Sequence, residues 1–353
     1  IVIIGNGVAG VTADEQARRH SDQAESVVIS REEEAPYYRI NLTRYLAGEI
    51  DAAGLALQPE AWFTERRVTL KTGEVTGIDR EARQVHLADA GSEAYDRLIL
   101  ANGAHPFIPP IPGATREGVF CFRTKEQTEA MLARARPGVN AVVVGGGLLG
   151  LEAAGALRKH GVTVSVLEGF GWLLPRQLAE PAGRLLCAHL EGLGIRVVAS
   201  AKVEEIVGDE AVRAVRLADG EEVPADLVVL ATGVRPNSYL ARQSGLEVDK
   251  GVLVDDHMQT SDAAIYAAGD VAEHRGVLYG LWPSAFAQGA VAGGNAAGGD
   301  LVFDALPPSN RLKVLDVDLF SIGQFQPADA SYQVFEEEGD GSYIRLICRD
   351  GEL

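Results

Sequence analysis

Two copies of one glycine-rich pattern constrain the fold of this chain more than any other feature of its sequence. Residues 1–10 read IVIIGNGVAG and match residues 141–150, which read AVVVGGGLLG. A second pair follows, because residues 87–106 resemble residues 217–236 in an apolar run that leads into Gly and Pro. Each half therefore begins with a strand, a glycine loop and a helix, and ends with another strand. This repetition predicts two copies of one nucleotide-binding α/β unit.

The glycine spacing in each copy is that of a loop that binds a dinucleotide. Glycine permits a tight turn, contact between the backbone and a pyrophosphate, and close packing of the next helix on the strand. That helix offers free N–H groups and the positive end of its dipole to phosphates. An acid ends the next strand of each copy, Glu32 or Glu168, and can bind a ribose diol. Context and duplication disfavour the alternative of two glycine-rich turns in a generic α/β protein.

Glu168 also bears on the choice of nicotinamide cofactor. A carboxylate repels a 2′-phosphate, and residues 169–172 supply no Arg or Lys to hold one, so NADH is favoured over NADPH. Two dinucleotide sites in one chain imply electron transfer from one cofactor to the other. Residues 265–270 read IYAAGD, an apolar strand that ends in Gly-Asp. Asp270 is either a ligand for a polyhydroxylated chain or an ordinary turn cap.

Charge and composition disfavour several functional classes. Fifty acidic residues against 32 basic ones give a formal charge of −18, which argues against binding to nucleic acid or to an anionic membrane surface. No apolar run is long enough for a transmembrane helix, and no signal peptide is recognised. The cysteines Cys121, Cys187 and Cys348 form no CxxC pair, and no zinc-ligand spacing occurs. We therefore expect free thiols, a cytoplasmic location and no metal site.

Proline-rich segments mark the expected domain boundaries. Residues 106–113 read PFIPPIPG and cannot lie inside a helix, and the return crossing is expected near Pro236 and Asn237. The expected domains are 1–108 with 238–306, 109–237, and 307–353.

Two further segments alternate apolar and polar residues. Residues 68–87 predict a small antiparallel meander. In the last domain the alternation includes Leu312, Val314 and Ile322, and predicts strands. About 45 residues form only a marginal core, so we expect the native chain to continue beyond residue 353.

Together these segments resemble the FAD-dependent pyridine nucleotide–disulfide oxidoreductase superfamily over essentially the whole chain. The resemblance implies an α/β fold with two Rossmann-like dinucleotide-binding domains, one for FAD and one for NAD, and a small C-terminal α+β domain. GNGVAG corresponds to the FAD loop, GGGLLGLE to the NAD loop, and YAAGD to a ribitol contact through Asp270. ANGAHP and ATGVRPN are similar to the two linking ATG motifs, although Asn102 stands where the usual residue is Thr.

The resemblance assigns binding residues one by one. For FAD they are Gly5, Gly7, Val8, Ala9, Gly10, Glu32, Arg39, Arg44, Ala101, Asn102, Gly103, Gly269, Asp270 and Trp282. For NAD they are Gly145, Gly147, Leu148, Leu149, Gly150, Glu152, Glu168, Ala231, Thr232 and Gly233.

Residues 36–44, PYYRINLTR, distinguish branches of the superfamily. Disulfide reductases carry a CxxxxC pair near this point, and thiol-type NADH oxidases and peroxidases carry one redox cysteine, but this chain has no cysteine before Cys121. The segment instead resembles the PxYxRxxLSK stretch of NADH:rubredoxin reductases and of the flavin part of assimilatory nitrite reductase. Arg44 stands where those families have Lys. Residues 312–323 are similar to their C-terminal domain, which runs longer.

Hydride transfer from nicotinamide to flavin needs stacking and orientation more than acid–base side chains. The resemblance makes Arg44 and Glu152 the catalytic candidates, Arg44 near flavin N5 and Glu152 near the junction of nicotinamide and flavin. Arg44 is otherwise a surface arginine, and Glu152 otherwise complements a helix dipole. The helix after Trp282 and Pro283 is expected to direct its positive end at the N1/O2 edge of the flavin.

Without a redox cysteine, electrons are expected to leave the flavin directly for a small iron–sulfur carrier such as rubredoxin, or for a nitrite-reductase component. Two alternatives stay open: a peroxide-forming NADH oxidase, and an NADH-sensing flavoprotein with little turnover. The rate of reaction with oxygen alone distinguishes the reductase from the oxidase. Rapid turnover with an acceptor distinguishes the reductase from the sensor. The sequence is also compatible with an oligomer.

Overall fold

The computed structural model of the chain describes residues 1–66, 68–305, 307, 309–312, 315 and 317–352, without the side chains of Glu60 and Asn310. Its α-helices are α1 (Val8–His20), α2 (Leu42–Leu46), α3 (Glu60–Glu65), α4 (Lys125–Leu132), α5 (Leu148–Lys159), α6 (Glu180–Gly192), α7 (Tyr239–Gln243) and α8 (Trp282–Ala296). Short 3₁₀ helices span Arg39–Asn41 and Ala53–Leu55. The strands are β1 (Val2–Ile4), β2 (Val27–Ser30), β3 (Thr69–Thr72), β4 (Val75–Asp79), β5 (Gln84–Leu87), β6 (Ser92–Ala94), β7 (Leu98–Leu100), β8 (Ala104–Pro106), β9 (Val119–Cys121), β10 (Asn140–Val144), β11 (Thr163–Glu168), β12 (Arg196–Ala199), β13 (Val203–Gly208), β14 (Val212–Leu217), β15 (Glu222–Pro224), β16 (Leu227–Leu230), β17 (Val234–Pro236), β18 (Val252–Val254), β19 (Ile265–Ala267), β20 (Ala272–His274), β21 (Ser309–Leu312), β22 (Leu319–Ile322), β23 (Gln333–Gly339) and β24 (Ser342–Cys348).

The chain divides into two compact units. The first unit is Ile1–Ile40, Ala52–His105 and Val234–Leu306. The second unit is Asn41–Asp51, Pro106–Gly233 and Pro307–Leu353. Leu306, at which one predicted domain boundary falls, lies outside the described residues.

The first unit is built on a five-stranded parallel sheet in the order β19-β7-β1-β2-β3. The central strand β1 is buried on both faces, as its uninterrupted apolar sequence predicts. Ile3 packs in the cluster that includes residues of α1 and α8, while Val2 and Ile4 pack in the cluster that includes residues of β4 and β5. The sheet therefore lies between a helical layer and a small antiparallel sheet.

The second unit repeats this architecture. Its parallel sheet has the order β12-β11-β10-β16-β9, which is the order of the first sheet read from the other edge. A three-stranded antiparallel sheet, β13-β14-β15, packs on it through the cluster that contains Val142, Val215 and Val223. The predicted duplication and the α/β fold with two Rossmann-like units are confirmed.

The crossing of α1 and α8 depends on glycine. A Cβ atom at Gly289 would lie 2.4 Å from the carbonyl oxygen of Ala9, and one at Gly293 would lie 2.0 Å from that of Ala13. Both distances are far below van der Waals contact, so a side chain at either position would force the helices apart. The two glycines therefore allow α8 to pack closely on α1, the helix that follows the first glycine loop.

The predicted meander needs one correction. Antiparallel pairing runs over β4, β5 and β6, from Val75 to Ala94. Thr69–Thr72, which was included in the meander, instead forms β3 and pairs in parallel with β2 at the sheet edge. An edge strand with one face in solvent shows the same alternation as a meander strand, so the pattern alone does not separate the two.

The last residues form two hairpins in the second unit. Strands β21 and β22 pair antiparallel, as do β23 and β24, and the described residues of 307–353 contain no helix. The side chain of Ser321 donates to the carbonyl of Gln177 at 2.8 Å, and His189 Nε2 lies 2.6 Å from the carbonyl of Leu315. Val314, part of the predicted alternation, lies outside the described residues. Among the helices described, none is long and apolar enough to cross a membrane.

Candidate functional site: two glycine loops

The first glycine loop is shaped by backbone proximity. Gly5 has φ +112°, and a Cβ there would lie 2.1 Å from the carbonyl oxygen of Ala101. A Cβ at Gly10 would lie 1.9 Å from the carbonyl oxygen of Gly5, whereas one at Gly7 would meet nothing within 4 Å. Gly5 and Gly10 are therefore required by the fold, while Gly7 leaves open space in front of the helix. Of the predicted residues, Val8 and Ala9 start α1.

The N-terminus of α1 is free to bind an anion. No side chain in the described part of the chain caps it, and its first turn contains no acidic residue. The first N–H groups of a helix lack intrahelical partners, and they carry the positive end of the dipole. The open space at Gly7 therefore faces donors suited to a pyrophosphate.

Three buried polar atoms of the first unit have no hydrogen-bond partner among the described residues: Asn102 Oδ1, Trp282 Nε1 and Gln288 Nε2. Asn102 adjoins the loop, because its backbone nitrogen lies 2.9 Å from the position of a Gly5 Cβ. Gln288 bonds the backbone N–H of Gly269. Buried polar groups in native proteins are nearly always satisfied. The first unit thus has unused buried donors and, at Asn102 beside its dinucleotide loop, an unused acceptor, which fits a polar cofactor such as FAD.

An interacting group of side chains follows β2. Tyr37 donates its hydroxyl hydrogen to Glu32 Oε2 at 2.7 Å, and Arg39 forms an ion pair with Glu32. The guanidinium of Arg39 also interacts electrostatically with Asp270. The structure therefore brings together Glu32, Arg39 and Asp270, three residues that the sequence assigned to FAD. Trp282 stacks in an aromatic cluster with Tyr38 and Phe286, with ring centroids 6.0 and 5.5 Å away.

The second glycine loop has the same construction. Gly145 has φ +114°, and its Cβ would lie 2.4 Å from the carbonyl oxygen of Ala231. A Cβ at Gly150 would lie 2.0 Å from the carbonyl oxygen of Gly145, and one at Gly147 would again meet nothing within 4 Å. The predicted residues Leu148 and Leu149 begin α5, which has no acid in its first turn and no side-chain cap from the residues that the structure describes.

Glu168 is held rigidly at the end of β11. Its residue surface is only 6 % exposed. One carboxylate oxygen accepts from the backbone N–H of Gly146 at 2.7 Å, and the other accepts from that of Phe170 at 2.8 Å. Two backbone donors thus fix the Glu168 carboxylate beside the loop. Its negative charge would repel another anionic group there, such as a 2′-phosphate.

Glu152 lies on α5 and is half-buried. Burial raises the pKa of its carboxyl to about 7, against the opposing effect of a hydrogen bond from the side chain of Thr43. Thr43 is itself buried, on α2, and α2 packs on α5 within the second unit. A carboxyl with a pKa near neutrality can exchange a proton at physiological pH.

Arg44, also on α2, belongs to a surface network of the second unit. Its Nε lies 3.3 Å from Glu49 Oε2, and Lys159 Nζ lies 2.5 Å from Glu49 Oε1. The ring of His160 bonds the carbonyl oxygen of Leu46 at 2.6 Å, which fastens α2 to the end of α5. The role of Arg44 beside a flavin stays a prediction.

The substitution at Asn102 has a structural explanation. Thr232 donates its hydroxyl hydrogen to the carbonyl of Phe107 at 2.6 Å. At the equivalent place in the first unit, the amide of Asn102 donates to the carbonyl of Asn237 at 2.9 Å. Asn therefore replaces the contact that Thr supplies in the other copy. The glycines that follow have positive φ, +65° at Gly103 and +103° at Gly233.

Sequence reasoning did not identify Thr43 or Gln288. Thr43 lies over 100 positions from Glu152, and Gln288 lies in an Ala- and Gly-rich helix without a recognised motif. Only tertiary contacts distinguish these residues from others of their type.

Comparisons with known proteins agree with this geometry. Residues 1–289 match the family described as pyridine nucleotide-disulphide oxidoreductase, and residues 308–353 match the rubredoxin NAD+ reductase C-terminal domain. The nitrite reductase [NAD(P)H] of Bacillus subtilis is 40% identical over 100% of this chain, which spans 44% of that protein. The rubredoxin-NAD(+) reductase of Ectopseudomonas oleovorans is 36% identical over 79% of this chain and 74% of its own length. The crystal structure of the covalent putidaredoxin reductase–putidaredoxin complex matches with a TM-score of 0.91 at 27% identity, over 99% of this chain and 87% of the other.

Proposed function

Because this chain belongs to the pyridine nucleotide-disulphide oxidoreductase family, we propose that it oxidises NADH with the help of FAD and delivers the electrons to an iron–sulfur acceptor. The acceptor is a small carrier of the rubredoxin type or a nitrite-reductase component. Relatives with both kinds of name support the proposal, and the chain spans less than half the length of the nitrite reductase.

The observation that carries the proposal is the presence of two loops of the same geometry, each with an open glycine before an uncapped helix. One loop suits a resident cofactor, because Asn102 beside it has a buried oxygen without a partner among the described residues. The other suits an exchangeable nucleotide, and Glu168 beside it disfavours a 2′-phosphate. A chain with both sites can pass electrons between two dinucleotides.

FAD would be held by the first loop together with Glu32 and Asp270; when bound, it accepts hydride and releases electrons one at a time. The N-terminus of α1 would stabilise the charge of the FAD pyrophosphate, and the N-terminus of α5 would do the same for NADH. Glu152 can hold or release a proton near pH 7 on the helix of the second loop.

The cysteines support direct electron release. Cys121, Cys187 and Cys348 are free and distant in sequence, and burial raises the pKa of Cys121 and Cys187. A raised pKa lowers the thiolate fraction and therefore the reactivity of a thiol. No dithiol relay is part of the proposal.

The proposal includes the predicted domains, 1–108 with 238–306, 109–237 and 307–353, and a cytoplasmic location.

The test is an anaerobic stopped-flow experiment. The purified yellow protein is reduced with NADH and then mixed with oxidised rubredoxin, and the bleaching of rubredoxin is followed. Fast bleaching, with slow reoxidation by air in a parallel run, would support the proposal. Rapid reaction with air and no bleaching would assign an oxidase instead.

A second measurement addresses the predicted catalytic role of Glu152. We expect Glu152→Ala to slow flavin reduction by NADH while FAD stays bound. Glu210→Gln, at an exposed position of the same unit, is the matched control. Unchanged reduction kinetics in Glu152→Ala would remove Glu152 from the proposed chemistry.

A further inference from the structure

The side chain of Gln288 is fixed in one orientation within the first unit. It lies on α8 and is only 1 % exposed. The backbone N–H of Gly269 donates to Oε1 at 2.9 Å. Because Gly269 presents a donor, the atom that faces it must be the amide oxygen, so the side-chain NH₂ group points elsewhere.

That NH₂ group has no partner among the described residues, although it is buried. The other buried amide of α8 behaves differently. Asn295 donates through Nδ2 to the carbonyls of His257 at 3.0 Å and Leu301 at 2.8 Å, and its oxygen accepts from the N–H of Leu301 at 2.7 Å. The helix can therefore satisfy a buried amide with protein groups, and does so at Asn295 but not at Gln288.

The residues next to this amide contact the helix that follows the first glycine loop. A Cβ at Gly269, the partner of Gln288, would lie 3.1 Å from Cβ of Ala9 in the first turn of α1. A Cβ at Gly289, the residue after Gln288, would lie 2.4 Å from the carbonyl oxygen of Ala9. Gln288 thus lies where α8 and the strand end at Gly269 both contact the first turn of α1.

We propose that Gln288 binds the cofactor directly, by donating a hydrogen bond from Nε2 to an oxygen of the ribityl diphosphate chain of FAD. The inference rests on the proposed function and adds one binding residue to it. A buried donor without a protein partner is costly, and an oxygen-rich ligand beside α1 removes that cost. Gln288 would then couple the ligand to the Gly269–Asp270 strand end.

The experiment compares variants of the full chain purified with its flavin. Gln288→Glu is nearly isosteric and keeps the oxygen that accepts from Gly269, but when ionised it has no donor. We expect FAD to dissociate at least about tenfold faster after dilution at pH 8, the effect of losing one hydrogen bond to a charged or strongly polar acceptor. The difference should shrink at pH 5, where a protonated carboxyl can donate again. Gln288→Met, which fills the space without a donor, should release FAD faster at both pH values.

Asn295→Asp is the matched control, because it removes a donor that the protein itself satisfies. We expect it to lower the melting temperature and to leave the rate of FAD release unchanged. Gln288 variants that retain FAD as long as the wild type would overturn the inference. Equal acceleration in Asn295→Asp would also overturn it, by showing a general loosening of α8. A wild-type protein that neither contains nor takes up FAD would instead overturn the proposed function.

Discussion

Replacing Glu152 by glutamine is expected to stabilise the protein at neutral and alkaline pH. Burial raises the pKa of this carboxyl from 4.5 to about 7. Because this pKa is higher in the folded state than in the unfolded state, the protein keeps its full free energy of unfolding below pH 4.5. Part of it is lost as the pH rises through 7. Each unit of pKa shift corresponds to about 1.36 kcal/mol, so a shift from 4.5 to about 7 lowers the free energy of unfolding by about 3 kcal/mol at pH 8. The neutral amide of glutamine avoids this loss, because it does not ionise.

The measurement is thermal unfolding of the purified protein at pH 5 and pH 8. About 3 kcal/mol corresponds to roughly 6–12 °C for a unit of this size, so Glu152→Gln should melt higher than the wild type by that order at pH 8. At pH 5 the two should nearly coincide. Glu210→Gln, at an exposed position, should show no such pH-dependent gain. If the wild type and Glu152→Gln lose stability in parallel between pH 5 and pH 8, the burial argument is wrong.

Three further outcomes are expected. Glu168 should give NADH a much lower KM than NADPH, and comparable values in steady-state assays would contradict its assignment. Arg275 holds the pKa of Asp256 down to about 2, so Asp256→Asn should lower the melting temperature at pH 7, with the difference lost as the pH falls from 3.8 towards 2. Gly293→Val should destabilise the first unit by several kcal/mol in urea unfolding, since its Cβ would lie 2.0 Å from the carbonyl oxygen of Ala13; an unchanged midpoint would refute the close crossing of α1 and α8.

The features that sequence predicted best are those in which local chemistry alone determines the residue. Gly5 and Gly145 adopt backbone angles that L side chains rarely adopt, and each lies against the carbonyl of a residue near the end of another strand. The motif therefore records a geometric requirement, and it can be read without knowing the rest of the fold. The family and the α/β fold followed from the two motifs and were confirmed.

The features that sequence missed depend on contacts between distant segments. The pattern of residues 36–44 does not show that Thr43 bonds Glu152 or that the end of α2 is fastened to His160, both within the second unit. The parallel edge position of β3 depends on its pairing with β2 and not on its own pattern. Gln288 becomes notable only when its NH₂ group is found without a partner.

The order of strands in the first sheet has a consequence for synthesis of the chain. Strand β7 ends at Leu100, and the neighbour that covers its outer edge, β19, begins at Ile265. The strands of the second parallel sheet all lie between these two points. At about 5–20 residues per second the ribosome needs roughly 10–30 s to make the intervening stretch. During that interval the nascent chain exposes an apolar strand edge, so chaperone demand and aggregation during expression should depend on how fast the inserted unit is translated.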